Sequence, residues 1–187
     1  MKPKSKAESG AAAKSRGYFA IGAERISKQL NVGNLVRSAH AFGASFVFTV
    51  GAHYSAHEAR SDTSKTPSHV PLYQWDTADD IALPRGCKLV GVELIEDAVD
   101  LPSFRHPLQA AYILGPERGE LSREILERCD HVVKIPTAFC INVAMAGAIV
   151  MYDRVRTLGR FAPRPVAAGG PVAVLGEHVH GNPKRRR

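Results

Sequence analysis

The sequence predicts an α/β domain with a mostly parallel sheet flanked by helices. Short apolar runs rich in β-branched residues, such as Phe46–Val50 (FVFTV), recur along the chain and are of the kind seen in buried parallel strands. Segments with helical spacing separate these runs, and such an alternation is typical of parallel sheets. The 187 residues, 44% of them hydrophobic, suffice for one domain with a substantial core.

The expected elements can be placed along the chain in order. A first strand is predicted at Gly17–Gly22, and the helix after it carries apolar residues at helical spacing up to Phe42 and ends at Gly43. The strand Phe46–Val50 completes a βαβ unit. The later elements are a short helix around Ser55–Ser61, a polar loop at Thr63–Thr66, an edge strand at Val70–Gln74, strands at Lys88–Leu94 and Ala110–Leu114, a helix from its N-cap Ser122 to Cys129, a strand at His131–Lys134, and an apolar helix at Ile141–Tyr152.

Positive charge is concentrated at the two ends of the chain. Residues 1–16 and residues 161–187 each carry a net charge of +4, whereas the 144 residues between them sum to −1. Neither end has the apolar pattern of a packed segment, so we expect disordered basic tails at 1–16 and 161–187 around one domain at 17–160. Such tails attract phosphate backbones without reading their sequence, which favours a nucleic-acid partner; solubilising termini are the alternative.

Composition argues against several classes of protein. No apolar run approaches the roughly 20 residues needed to span a bilayer, and the N-terminus is polar and lysine-bearing rather than an apolar signal segment. We therefore expect a soluble, cytoplasmic protein without a membrane partner. The cysteines Cys87, Cys129 and Cys140 are widely spaced and form no CxxC pattern, so we expect reduced thiols and no metal site.

Three polar loops follow predicted strands. Asn31–Arg37 (NVGNLVR) holds asparagines that can cap a helix and an arginine suited to gripping a phosphate. Gly115–Ser122 (GPERGELS) places Glu117 in a tight turn, and Pro136–Asn142 carries small polar groups into the last helix. Each loop alone could be an ordinary connection. Because ligands gather at the carboxyl ends of parallel strands, the three together predict a site there.

These motifs, read in order, are N-x-G-x-x-x-R-x-A-x-x-F-G, then L-G-x-E-x-G-x-L-S, then I-P followed by a loop, N-V and a small-residue helix. Their order and spacing resemble those of the SpoU (TrmH-like) RNA 2′-O-ribose methyltransferases of the SPOUT superfamily, from about Tyr18 to Arg160. The resemblance implies a C-terminal trefoil knot, one of the rare exceptions to unknotted topology. It also implies S-adenosylmethionine as the methyl donor and a homodimer whose sites are shared between subunits.

The resemblance assigns roles to individual residues. Asn31 and Arg37 match its catalytic motif, Glu117 matches the acidic residue of the second motif, and Asn142 matches the asparagine of the third. Cys140 stands where the family usually has serine, in a loop that is shorter than in many relatives. No metal is implied. The positions that match the cofactor pocket are Leu94, Gly115, Ile135, Cys140 and Ile141.

The activity that follows from the resemblance is methylation of a ribose 2′-hydroxyl, with tRNA the first expected substrate and ribosomal RNA the second. A guanidinium is a poor base, so Arg37 is expected to hold a phosphate and the developing oxyanion, with Asn31 orienting Arg37 or the ribose. The alternatives are a non-catalytic knotted RNA-binding or ribosome-assembly protein and a base-methylating SPOUT enzyme. A Rossmann-type methyltransferase is less favoured, because no GxGxG-like loop follows the first strand.

Overall fold

The computed structural model describes residues 17–52 and 70–159, and residues 161–170 except 163 and 167. The predicted basic tails lie wholly or mostly outside these residues, as do the predicted helix at Ser55–Ser61 and the loop at Thr63–Thr66. The described elements are the strands β1 Tyr18–Glu24, β2 Phe46–Val50, β3 Leu72–Trp75, β4 Lys88–Val92, β5 Val99–Asp100, β6 Gln109–Leu114 and β7 His131–Lys134, and the helices α1 Gln29–Phe42, α2 Arg123–Arg128 and α3 Val143–Leu158.

The seven strands of the described chain form one sheet in the order β3-β2-β1-β6-β4-β7-β5, and every neighbouring pair is parallel. The predicted parallel α/β fold is thus confirmed. Helices α1 and α3 pack on one face of the sheet, where Leu35 and Val150 enter the larger core cluster. Helix α2 covers the other face through Ile125. Because all the strands are parallel, the carboxyl ends of the strands lie at one edge of the sheet.

The last strand, β7, lies between β4 and β5, although residues 93–98 join those two strands directly in the chain. This arrangement is consistent with a chain end threaded past an earlier connection. The trefoil knot itself stays a prediction.

Helix α3 is anchored by a buried arginine at its far end. Arg154 is 0% exposed and donates to the carbonyl oxygens of Tyr18 at 3.2 Å and Leu108 at 2.7 Å, and to the hydroxyl of Tyr112 at 3.1 Å. These bonds satisfy most of a charge that would be costly to bury unpaired. They tie α3 to the starts of β1 and β6, and so fix the position of its other end at the carboxyl edge.

Several predicted boundaries differ from the observed ones. The predicted loop at the start of the Asn31–Arg37 motif is helical instead, because α1 already begins at Gln29, and only the helix boundary was placed wrongly. The strand β5 was not predicted; it has only two residues, both exposed, and so shows no apolar alternation. The last helix begins at Val143 rather than Ile141, because the Asn142 side chain caps it, and it runs on to Leu158.

Other local predictions are confirmed. Gly43 ends α1 with a left-handed φ of 76°, a conformation that glycine adopts without a Cβ penalty, and its N–H bonds the carbonyls of Ala39 and His40. The Ser122 side chain accepts a hydrogen bond from the Ile125 N–H at 3.3 Å and thereby caps α2.

Candidate active site

A cavity of about 380 Å³ opens at the carboxyl ends of β4, β6 and β7. Its size falls in the range of small-molecule sites, and its wall combines apolar side chains with a few polar groups, as such sites do. The lining residues are Lys28, Asn31, Val92, Glu93, Leu94, Leu114, Gly115, Pro116, Glu117, Gly119, Ile135, Thr137, Cys140, Ile141, Asn142, Val143 and Ala146.

Glu117 connects the second loop to the start of α1. Its Oε2 accepts from the Ser27 N–H at 3.1 Å and from the Ser27 hydroxyl at 3.2 Å. Its Oε1 accepts from the Lys28 N–H at 3.0 Å and from the Asn31 Nδ2 at 2.9 Å. Lys28, the N-cap of α1, offers no side-chain cap of its own, so this distant carboxylate satisfies backbone donors at the helix start. The contact therefore stabilises the start of the helix that carries the Asn31 motif.

The same hydrogen bonds set the ionisation of Glu117. Burial raises the pKa of its carboxyl, but the bonds from the Asn31 side chain and from the Lys28 and Ser27 backbone outweigh this effect and hold the pKa below its ordinary value. Glu117 is therefore a stable carboxylate at neutral pH rather than a proton donor.

Asn31 joins Glu117 to the third motif. The Asn31 side chain is 5% exposed, and its Oδ1 accepts from the Asn142 Nδ2 at 3.0 Å. A carboxylate only accepts, so the Asn31 amide must turn its Nδ2 to Glu117 and its Oδ1 to Asn142. The Oδ1 of Asn142 accepts from the N–H groups of Ala144 at 3.0 Å and Met145 at 3.3 Å, at the start of α3. One oriented chain thus links the three motifs.

The structure brings the five predicted cofactor-pocket residues to the cavity. Leu94, Gly115, Ile135, Cys140 and Ile141 all line it. At Gly115 an added Cβ would lie 2.9 Å from the Glu93 Oε2 and 3.3 Å from the Leu121 N, so a side chain here would force the Glu93 carboxylate to move. The Cys140 thiol is exposed at the cavity wall.

Arg37 is the predicted site residue that the structure does not bring to the cavity. It is exposed on α1 and forms no hydrogen bond or ion pair with any residue that the structure describes. Six residues of helix separate it from Asn31, which places it about 9 Å along the axis and roughly 120° around it. Because Asn31 faces the cavity, Arg37 faces away from the cavity of its own chain.

Sequence reasoning missed Glu93 and Lys28, which also line the cavity, whereas Thr137 is one of the small polar groups expected in the third loop. Glu93 directly follows β4, so it obeys the rule that site residues follow strands. It was overlooked because the strand was predicted to continue to Leu94, which placed Glu93 inside it. The Thr137 hydroxyl lies 2.9 Å from the Phe139 carbonyl oxygen and shapes the third loop.

Two features are absent from the described residues, a cluster of metal ligands and a membrane-spanning helix. Within residues 17–52, 70–159 and the described part of 161–170, no three His, Cys, Asp or Glu side chains come together as a metal site requires. In the same part of the chain, no helix combines the length and the apolar character that crossing a membrane demands.

Comparison with known proteins adds to this geometry. The model of the SpoU rRNA Methylase family matches residues 18–152. Over 157 residues the chain is 27% identical to the tRNA (guanosine(18)-2′-O)-methyltransferase TARBP1 of Mus musculus, in an alignment that covers 76% of this chain and 10% of that protein. Over 158 residues it is 28% identical to the 23S rRNA (uridine(2479)-2′-O)-methyltransferase of Streptomyces viridochromogenes, covering 76% of this chain and 54% of that protein.

The fold is likewise similar to a solved structure, that of the SpoU methyltransferase AviRb from Streptomyces viridochromogenes in complex with the cofactor AdoMet. The TM-score is 0.68 at 24% identity, and the match covers 79% of this chain and 60% of that one. At this identity the likeness establishes a common fold. The chain spans about half the length of the curated Streptomyces relative and a tenth of the mouse one.

Proposed function

We propose that this chain, which belongs to the SpoU rRNA Methylase family, transfers a methyl group from S-adenosylmethionine to a ribose 2′-hydroxyl of RNA. The observation that carries the proposal is the hydrogen-bonded chain from Glu117 through Asn31 to Asn142, which joins all three sequence motifs at the mouth of one cavity. Among RNA substrates, tRNA is the first choice and ribosomal RNA the second, and relatives are named for each class.

The cavity fits S-adenosylmethionine in size and in lining. About 380 Å³ is adequate for one small molecule, and Leu94, Ile135 and Ile141 supply apolar contact. Gly115 leaves backbone groups open where a side chain would collide with Glu93. When bound, the cofactor supplies an electrophilic methyl group on a sulfonium. Transfer leaves a neutral thioether, so apolar side chains such as Leu94, Ile135 and Ile141 beside the sulfonium would favour the transition state over the ground state.

The residues of this chain position the reaction, and the proton of the 2′-hydroxyl passes to the adjacent RNA phosphate rather than to a side chain. The Glu117 carboxylate has all of its roughly four acceptor sites occupied, so it has none free for a substrate hydroxyl. Asn31 retains a second Nδ2 hydrogen and a second Oδ1 lone pair, with which it can orient a ribose or the guanidinium of an arginine. Stabilisation of the developing oxyanion is left to Arg37, whose planar fork suits phosphate and oxyanion together.

Arg37 faces away from its own cavity, so the proposed enzyme is a homodimer in which Arg37 reaches the cavity of the partner subunit. Leu30, Asn34 and Arg37 lie along one exposed stripe of α1, and Leu30 is 74% exposed. On the adjacent helix α3, Met145 is 62% exposed and Tyr152 is 55% exposed. An apolar surface of this kind, beside an unpaired arginine, suits a self-complementary two-fold interface.

Transfer of label from methyl-tritiated S-adenosylmethionine tests the function. The protein is incubated with unmodified total tRNA and, separately, with ribosomal RNA, and each RNA is then hydrolysed with alkali. A methylated 2′-oxygen cannot assist cleavage of its own phosphate, so the proposal predicts label in alkali-resistant dinucleotides. Label in mononucleotides would indicate a base methyltransferase. Failure to bind the cofactor would favour a non-catalytic RNA-binding protein.

A further inference from the structure

A second carboxylate, that of Glu93, lines the cavity beside Gly115. Its Oε1 accepts a hydrogen bond from the Leu94 N–H at 2.8 Å, and its Oε2 accepts one from the Leu121 N–H at 2.8 Å. Two backbone donors on two different loops therefore fix the position of this side chain. Nothing in the proposed reaction uses it.

Glu93 and Glu117 differ in the number of hydrogen-bond acceptor sites that remain free. A carboxylate has about four acceptor sites, and Glu117 fills four while Glu93 fills two. None of the ion pairs within the described residues involves Glu93. Glu93 thus presents two unfilled acceptor sites and an unpaired negative charge at the cavity wall. Both features match a ligand that brings hydrogen-bond donors and positive charge.

The structure assigns to Glu93 the role of a cofactor-binding residue, one that accepts hydrogen bonds from S-adenosylmethionine. This inference rests on the proposed function. The donors on that molecule are the two ribose hydroxyls, the ammonium group and the adenine amino group, of which the hydroxyls or the ammonium are the ones assigned to Glu93; its net charge of about +1 comes from a sulfonium, an ammonium and a carboxylate. A vicinal diol or an ammonium is the natural partner of a carboxylate with two open sites.

Gly115 supports the assignment independently. An added Cβ at this position would lie 2.9 Å from the Glu93 Oε2, so a side chain here would displace the carboxylate. The glycine of the second motif therefore preserves the place of Glu93 as well as access to the backbone. The family motif and this carboxylate act together on one wall of the cavity.

The test is calorimetric titration of wild type, Glu93→Gln and Glu96→Gln with S-adenosylhomocysteine, methylthioadenosine and the 2′,3′-dideoxy analogue of methylthioadenosine. Glu96 is exposed and does not line the cavity, so its variant controls for net charge. Loss of a hydrogen bond to a charged group predicts that Glu93→Gln weakens S-adenosylhomocysteine by roughly ten- to a hundred-fold, while Glu96→Gln changes little.

The three ligands separate the donors from each other and from a damaged fold. If the ribose hydroxyls bind Glu93, the effect persists with methylthioadenosine and disappears with the dideoxy analogue. If the ammonium binds Glu93, the effect already disappears with methylthioadenosine. An equal loss for all three ligands, or no loss for any, overturns the assignment. Wild-type protein that binds neither S-adenosylhomocysteine nor S-adenosylmethionine contradicts the proposed function as well.

Discussion

Asn142 donates a hydrogen bond of 3.0 Å from its Nδ2 to the Oδ1 of Asn31, although 111 positions of sequence separate the two residues. Each asparagine also serves the backbone or a carboxylate: Asn142 caps α3, and Asn31 donates to Glu117. The starts of α1 and α3 are therefore locked together at the cavity. The proposed site depends on this link, and it can be tested by small changes to each member.

Replacing Asn31 by aspartate should break its bond to Glu117, although the new carboxylate can still accept from Asn142. The Asn31→Asp side chain cannot donate to Glu117 and places a second negative charge 2.9 Å from it. We expect the free energy of unfolding to fall by about 1–3 kcal/mol, as for an unsatisfied buried group, and methyl transfer to fall at least roughly tenfold. Urea unfolding measures the change in stability, and the tritium assay measures methyl transfer.

Gln74→Glu is the matched amide-to-carboxylate control for this change. Gln74 is exposed on β3 and does not line the cavity, so the added charge is screened by water. Equal effects of the two substitutions on unfolding and on methyl transfer would contradict the structural role assigned to Asn31.

The Glu117 carboxylate should make stability depend on pH in the acid range. Its pKa is lowered in the folded protein, so the unfolded chain binds more protons below the ordinary carboxyl pKa. Its stabilising contribution is therefore complete above the unfolded-state pKa, which is 4.5 for this group. The contribution is lost as the pH falls through the folded-state pKa.

Glu117→Gln removes this dependence. At neutral pH the variant should be less stable by about 1 kcal/mol, because the charge at the start of α1 is lost. Unfolding of both proteins in urea from about pH 7 to pH 3 should show the difference shrinking with acid. A difference that stays constant or grows would contradict the depressed pKa.

The two helical glycines should respond to alanine in opposite directions. A Cβ on Gly147 in α3 would lie 2.5 Å from the Leu35 Cδ1 of α1, so Gly147→Ala should cost about 1–3 kcal/mol by overpacking. A Cβ on Gly33 would meet nothing within 4 Å, so Gly33→Ala should gain about 0.5–1 kcal/mol from helix propensity. Thermal unfolding compares the pair, and a stabilising Gly147→Ala would show that α1 and α3 are not closely packed there.

Much of this arrangement was predictable from local pattern. Apolar spacing predicts the βαβ unit at the start of the domain. The end of α1 at Gly43 and the cap of α2 by Ser122 follow from residues with one strong conformational preference. The structure has all three features. The cavity residues after β4, β6 and β7 were placed by the strands that precede them.

The remainder depends on contacts between distant parts of the chain. The early start of α1 is stabilised by the Glu117 carboxylate, about 90 residues away from Ser27 and Lys28, a contact that no local pattern encodes. Glu93 acquires its place from the Leu121 N–H, 28 residues on. The direction in which Arg37 faces depends on where α1 begins, and the sequence-based prediction placed the start of α1 too late.

The proposed role of Arg37 depends on the geometry of its guanidinium as well as on its charge. Lysine keeps the charge but offers a single ammonium in place of the planar fork. Arg37→Lys should therefore lower kcat for methyl transfer by roughly tenfold or more, with little change in the affinity for S-adenosylhomocysteine, because Arg37 is proposed to hold the RNA phosphate and the oxyanion rather than the cofactor. Near-normal turnover in this variant would refute the bidentate role.

The most direct measurement mixes two inactive variants. Arg37→Ala lacks the arginine and Asn31→Asp lacks the hydrogen bond to Glu117, so each homodimer should fail to transfer label to RNA. Co-refolded in equal amounts, half of the dimers are mixed, and each mixed dimer has one site with an intact cavity and a wild-type Arg37. Alkali-resistant label should return to roughly a quarter of the wild-type level. Label that stays at the level of the separate variants would contradict a methyltransferase site shared between subunits.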